Sequence, residues 1–239
     1  MSGPDGSGFS FIKLWGSIFG FAEHDEDAAT TALVAFRSEI ELTRTKMLEH
    51  GVPEDLFRDA LNRIKGVTSA TLLHTEWRGH KSGLPPDVML ALKWSAWTLP
   101  KEEDELAPEE LSALVAELDA LQEAIASSNL SAYVREFTLR QIDLIRTALR
   151  QYRIGGIAPV EEALEAAYGA VRRSCSALSK QVEGASERDR SILTKFQTVL
   201  TKTAETADKV DKVRKGGEAL MGIGKVVGEA FDGLTKLLT

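Results

Sequence analysis

The chain has 239 residues, 43% of them apolar, with 29 Lys+Arg against 36 Asp+Glu, a net charge of -7 and one cysteine. That is enough apolar residue for a sizeable core. No apolar run approaches the roughly 18 residues of a spanning helix, and a lone thiol excludes an internal disulfide and fits a reducing compartment. The charge is uneven: residues 1–110 carry -8, residues 111–170 carry -3 and residues 171–239 carry +4. An acidic protein with one basic third lacks the broad positive footprint of a duplex binder, so no nucleic-acid partner is expected.

The first distinctive segment is Phe9 to Ala22, FSFIKLWGSIFGFA. It faintly resembles a secretory leader. Asp5, the single Lys13 and the interruptions at Gly16 and Gly20 argue for an aromatic segment that packs on the body or meets a membrane or partner. Phe11, Trp15 and Phe19 are its candidate contact residues.

Beyond it, glycine and proline cut the chain into helices. Asp27 is a candidate cap for a helix running to about His50, where Gly51 stops it. Leu33, Phe36, Ile40 and Met47 keep helical spacing there. Pro53, Glu54 and Asp55 open a second helix carrying Leu56, Phe57, Ala60, Leu61 and Ile64, which ends near Gly66. Residues 67–84 read as irregular. Pro85-Pro86-Asp87 restarts a helix with Val88, Leu90, Leu92, Trp94 and Trp97, and Pro100 ends it. Trp94 and Trp97, three apart, share a face. Core packing is the expectation for them and an aromatic binding surface the alternative.

An acidic connector, Lys101 to Ala107, leads to a helix opened by Pro108, with a stripe of Leu111, Leu114, Val115, Leu118, Leu121 and Ile125. Asn129 or Ser131 can cap the next helix. Its Val134, Phe137, Ile142, Ile145, Leu149 and Tyr152 point inward, and Arg140, Asp143, Arg146, Arg150 and Arg153 toward water. After Gly155-Gly156 and Pro159 the period is clearest: Val160, Leu164, Ala167, Val171, Cys175, Leu178 and Val182. Cys175 on that stripe reads as a buried, inert thiol. Ser186 begins a threonine-rich helix reaching Lys215, a poor helix former that neighbours must hold.

The last segment, Gly216 to Thr239, places Leu220, Ile223, Val227 and Leu234 on one helical stripe, widened by Phe231, with charged residues opposite. Its glycines each cost about 1 kcal/mol relative to alanine. Such a helix needs an apolar surface to hold it, and these five residues are candidate partner- or membrane-binding positions.

The sequence offers no catalytic site. Gly224-Lys225 suggests a phosphate loop, but Ala219 stands where that motif needs glycine and Val226 where it needs a hydroxyl. His74, Glu76 and His80 could hold a metal only if a loop gathered them, and His24 sits alone between Glu23 and Asp25, so no metal is expected. Arg44 and His50 have the R-x5-H spacing and resemble, in those two residues, helical HEPN ribonucleases, in which such a pair acts on RNA phosphate. No nucleophile elbow, cofactor motif or close carboxylate pair is present.

Two stretches, Val88 to Trp97 (VMLALKWSAW) and Arg140 to Tyr152 (RQIDLIRTALRQY) followed by Ile154-Gly155-Gly156, resemble uncharacterised bacterial all-helical proteins. That resemblance covers residues 30–170. It implies a bacterial, cytoplasmic, helical protein and carries no activity. The expected fold is therefore all-α, a bundle of about seven to eight helices. The expected segments are 1–24 (apolar, aromatic), 25–183 (body) and 184–239 (basic C-terminal helices). The expected function is a non-enzymatic module that docks a protein partner or itself through terminal amphipathic helices. A membrane-acting effector is the alternative and a HEPN-like ribonuclease the distant one.

Overall fold

The structure, a computed structural model, describes residues 9–99, 106–182 and 185–211. Among them are eight α-helices and four 3-10 turns, with one isolated antiparallel bridge, Ser10 to Glu76. The fold is all-α, as the helical periods predict. The chain divides into two units, residues 1–101 with 153–155, and residues 102–152 with 156–239. This division differs from the three segments read from composition. One boundary falls between Lys101 and Glu102, and two more bracket residues 153–155.

Unit 1 contains α1 (Phe11–Phe19), α2 (Glu26–Glu49), α3 (Arg58–Val67) and α4 (Pro86–Thr98). Asp25, not Asp27, caps α2: its carboxylate accepts from the Ala28 N–H at 2.9 Å. Asp27 instead joins Glu26 in the first turn, where the helix dipole favours negative charge. Gly51 ends this helix in the left-handed conformation, at φ +74°. Ile40 and Met47 from α2, Leu61 and Ile64 from α3, and Phe57 and Val88 make one apolar cluster. Leu56, expected to join them, is exposed, because Glu54–Leu56 forms a 3-10 turn that breaks the helical register before Arg58. Within residues 67–84, irregular by sequence, Val67 ends α3 and three further 3-10 turns follow: Ala70–Leu72, Trp77–Gly79 and Lys81–Gly83.

Unit 2 contains α5 (Pro108–Ala126), α6 (Ala132–Gly155, up to Tyr152), α7 (Ala158–Val182) and α8 (Glu187–Asp211). Ser131 caps α6, accepting from the Val134 N–H at 3.4 Å. The predicted stripes meet in one core, with Leu118, Ile125, Ile142, Ile145, Leu164 and Leu200 wholly or almost wholly buried. The threonine-rich α8 is held on α5 and α7. The hydroxyls of Thr194, Thr198, Thr203 and Thr206 each donate to the carbonyl four residues earlier, which disposes of the polar groups within the helix itself.

Two expectations need correction here. Arg146 does not face water. Its side chain is only 12% exposed, and its guanidinium lies 2.9 Å from the Asp119 carboxylate. The stem covers apolar surface while the head reaches α5. Cys175 is half-buried against the core rather than enclosed by it.

Tyr168 is buried in this core and donates to the Leu200 carbonyl at 3.2 Å. Burial, and after it the charge of Asp208, pushes its phenol well above the ordinary value. The folded chain therefore keeps the proton at a pH where the unfolded chain, with an ordinary phenol near pH 10, releases it. The stability this contributes is complete below about pH 10 and declines as pH rises beyond it. Tyr168→Phe loses the hydrogen bond, about 1 kcal/mol. In paired urea titrations, the stability of the wild type relative to Tyr168→Phe is expected to fall by about 1.4 kcal/mol between pH 8 and pH 11, enough to reverse the sign of the difference. A gap that stays constant contradicts the assignment.

Candidate docking face

The aromatic residues of α1 turn inward. Phe11 is 0% exposed, its ring edge-on to Trp77 at 5.3 Å and to His80 at 5.2 Å. Trp15 stacks on Phe19 at 5.4 Å, and both lie against Phe36. The start of the helix is fixed by backbone bonds. The Phe11 N–H donates to the Thr75 carbonyl at 3.0 Å, the Ile12 N–H to the Leu73 carbonyl at 2.9 Å, and the Trp77 N–H to the Phe9 carbonyl at 2.9 Å. The glycines that interrupt the apolar run have structural work. A Cβ on Gly16 would stand 2.7 Å from the Phe21 carbonyl oxygen, and Gly20 caps α1 at φ +82°. In this fold Phe11, Trp15 and Phe19 are interior residues of unit 1. Leu220, Ile223, Val227, Phe231 and Leu234 lie outside the described residues.

The polar candidates do not converge. His74 lies 3.4 Å from the Glu26 carboxylate, whereas His80 packs on Phe11. Among the described residues, no three potential metal ligands come together. The Arg44 guanidinium is paired with Glu54, Nε at 2.8 Å, and with Glu41. His50 Nδ1 lies 2.9 Å from the Lys46 carbonyl, at the end of its own helix. Both groups of the R-x5-H pair are thus engaged locally. A small apolar gap among α6, α7 and α8 is bordered by the Thr138 hydroxyl, which already donates to the Val134 carbonyl at 2.8 Å.

What the structure does expose is one face of α4. Pro86 and Asp87 start this helix as proline and acid do at a helix N-terminus. Only Val88 and Ser95 are buried; Ser95 donates to the Ala91 carbonyl at 3.0 Å. On the opposite side Met89, Leu90, Trp94 and Trp97 stand in solvent, with Trp94 58% and Trp97 87% exposed, and Lys93 among them. This corrects the core assignment of the two tryptophans. Their three-residue spacing does place them on a shared face, but it is the outward one. Single exposed apolar side chains are ordinary; a contiguous stripe with two indoles is not. Covering either indole would recover roughly 1.5–3 kcal/mol.

The sequence carried a signal for this. In PDVMLALKWSAWT only Asp87 and Lys93 are charged, so α4 is apolar on every side. A helix of that kind is either enclosed or is waiting for a cover.

No known family model, curated protein or solved structure matches this chain.

Proposed function

We propose that this chain is a non-enzymatic helical interaction module whose docking element is the exposed face of α4. The observation that carries the reading is the stripe Leu90, Trp94, Trp97 on a helix whose other side is already packed. Large aromatic residues dominate the energy of protein interfaces, and two of them on a rigid helix are anchors that cost little order to bury. The occupant this face suits is an apolar helical segment laid along it, the helix-in-groove mode. Catalysis receives no support from the side chains described above, since the histidines, Arg44 and the half-buried thiol form no convergent site.

The test compares wild type with Trp94→Glu/Trp97→Glu. The charged pair is expected to weaken association, with itself or with a purified partner, at least 30-fold, because an interface anchor is worth about 2 kcal/mol or more. Folding should be unchanged by circular dichroism, since neither indole is in a core. Undiminished association would end the proposal. Dye leakage from anionic vesicles that depends on these two residues would replace it with a membrane role.

A further inference from the structure

Two neighbouring helices of unit 2 carry opposite charges outward, and one ion pair fixes their register. α5 and α8 lie side by side and antiparallel. The Asn129 N–H, just beyond the end of α5, donates to Asp189 in the first turn of α8, and midway along both helices Lys202 pairs with Glu117. Counting seven residues, close to two turns, either way from that pair sets Lys195 level with Ala124 and Lys209 level with Glu110. One position round α5 from this row runs another at the same interval, Glu109, Ala116 and Glu123. It is exposed along its length, as are Ala113 and Ala120 beside it. Glu109, Glu123, Lys195 and Lys209 are all exposed, and among the described residues none of them has an ion-pair partner.

We infer that this α5–α8 face binds a second copy of the chain, about a two-fold axis parallel to the helices. Such an axis keeps every residue at its own level and lays α5 of one copy over α8 of the other. Glu123 then meets Lys195 of the second copy, Glu109 meets its Lys209, and symmetry repeats both pairs. Glu205, an exposed acid on α8, falls against Ala113 and meets no carboxylate at its own level. An axis across the helices would instead set Glu109 against Glu123 and Lys195 against Lys209, like on like. Exposed ion pairs are worth at most about 1 kcal/mol each, so they select the register while close packing supplies the affinity. Ala113, Ala116 and Ala120 let the backbones approach. The Thr198 hydroxyl already donates to the Thr194 carbonyl, so covering it strands no donor. At about 1.5 Å per residue the 19 residues of α5 span roughly 28 Å. Two helices about 10 Å apart make a face roughly 20 Å wide. The two faces together come to about 1,100 Å², just over the smallest size for a specific interface. The inference goes beyond the docking reading and leaves the α4 face free.

Sedimentation equilibrium of the full chain tests this. An interface near the lower size limit holds at micromolar concentration, so wild type at about 100 μM is expected at twice the chain mass. Glu109→Lys/Glu123→Lys and Lys195→Glu/Lys209→Glu should each dissociate at least tenfold more readily, because each sets like charges together at both contacts. Mixed in equal amounts, the two variants should associate with each other as tightly as wild type does with itself, which misfolded chains could not do. Ala116→Trp, at an exposed position, should dissociate as well. A monomeric wild type, normal dimerisation of any of these three variants, or a mixture that stays monomeric overturns the inference. Trp94→Glu/Trp97→Glu should dimerise as wild type does. If that variant alone dissociates, self-association belongs to α4, the docking reading stands and this one falls. If a separate partner ignores Trp94→Glu/Trp97→Glu while the charge variants dissociate, the docking reading falls and this one stands.

Discussion

Phe11→Ala is expected to destabilise unit 1 by about 3–5 kcal/mol, the cost of removing a buried phenylalanine and leaving a cavity. The ring is wholly enclosed and meets Trp77 and His80 on its edges and faces, so little can collapse into the space it leaves. The loss is comparable with the whole stability of many domains, so unit 1 should unfold at ordinary temperature or survive barely. Urea unfolding followed by tryptophan emission measures it, because Trp15 and Trp77 belong to the same cluster. This result also bears on function. A segment kept free for lipid would tolerate the change, and a loss below about 1 kcal/mol would reopen a membrane role for α1.

Asp189→Ala should cost about 3 kcal/mol in unit 2, through hydrogen bonds rather than volume. Asp189 is buried at the start of α8. One carboxylate oxygen accepts from the Ser186 hydroxyl at 2.6 Å, while the Ser186 oxygen accepts from the Asp189 N–H at 3.2 Å, a reciprocal cap. The other oxygen accepts from the Asn129 N–H at 3.2 Å, on the turn between α5 and α6. That turn is gripped from a second side by Arg135, whose guanidinium donates to the Ser128 and Leu130 carbonyls. Alanine leaves the Asn129 donor unmet and the turn held from one side only. Asp189→Asn keeps one acceptor, an amide oxygen for the Asn129 N–H, while its NH2 can donate to the Ser186 oxygen, and it should recover at least half of the loss. Equal losses for the two variants would show that the charge, not the acceptor geometry, matters.

The helices that were legible in the sequence are those with one apolar stripe. Leu111 to Ile125 and Val160 to Val182 fall on the core as their period requires, because a stripe on an otherwise polar helix has one direction to face. The failure at α4 has the opposite cause. With only Asp87 and Lys93 charged, its sequence gives no direction, and which side is buried is decided by α2 and α3, distant in the chain. The tryptophan spacing identified a shared face and said nothing about where it pointed. Arg146 was misplaced for a related reason: a charged residue beside an apolar stripe can reach a carboxylate on the next helix, and Asp119 lies 27 positions earlier. The aromatic segment at residues 9–22 was readable as apolar, but its fate depends on Leu73 and Thr75, which no local pattern could indicate.

The backbone bonds from Phe11 and Ile12 to Thr75 and Leu73 carry a consequence for the order of events during synthesis. Helix α1 has its seat built from a segment about 60 residues downstream, and loop closure over that distance must precede its anchoring. The greasiest stretch of unit 1 therefore leaves the ribosome with nowhere to go. Until residues 73–77 have emerged, its rings are exposed to whatever chaperones are at hand.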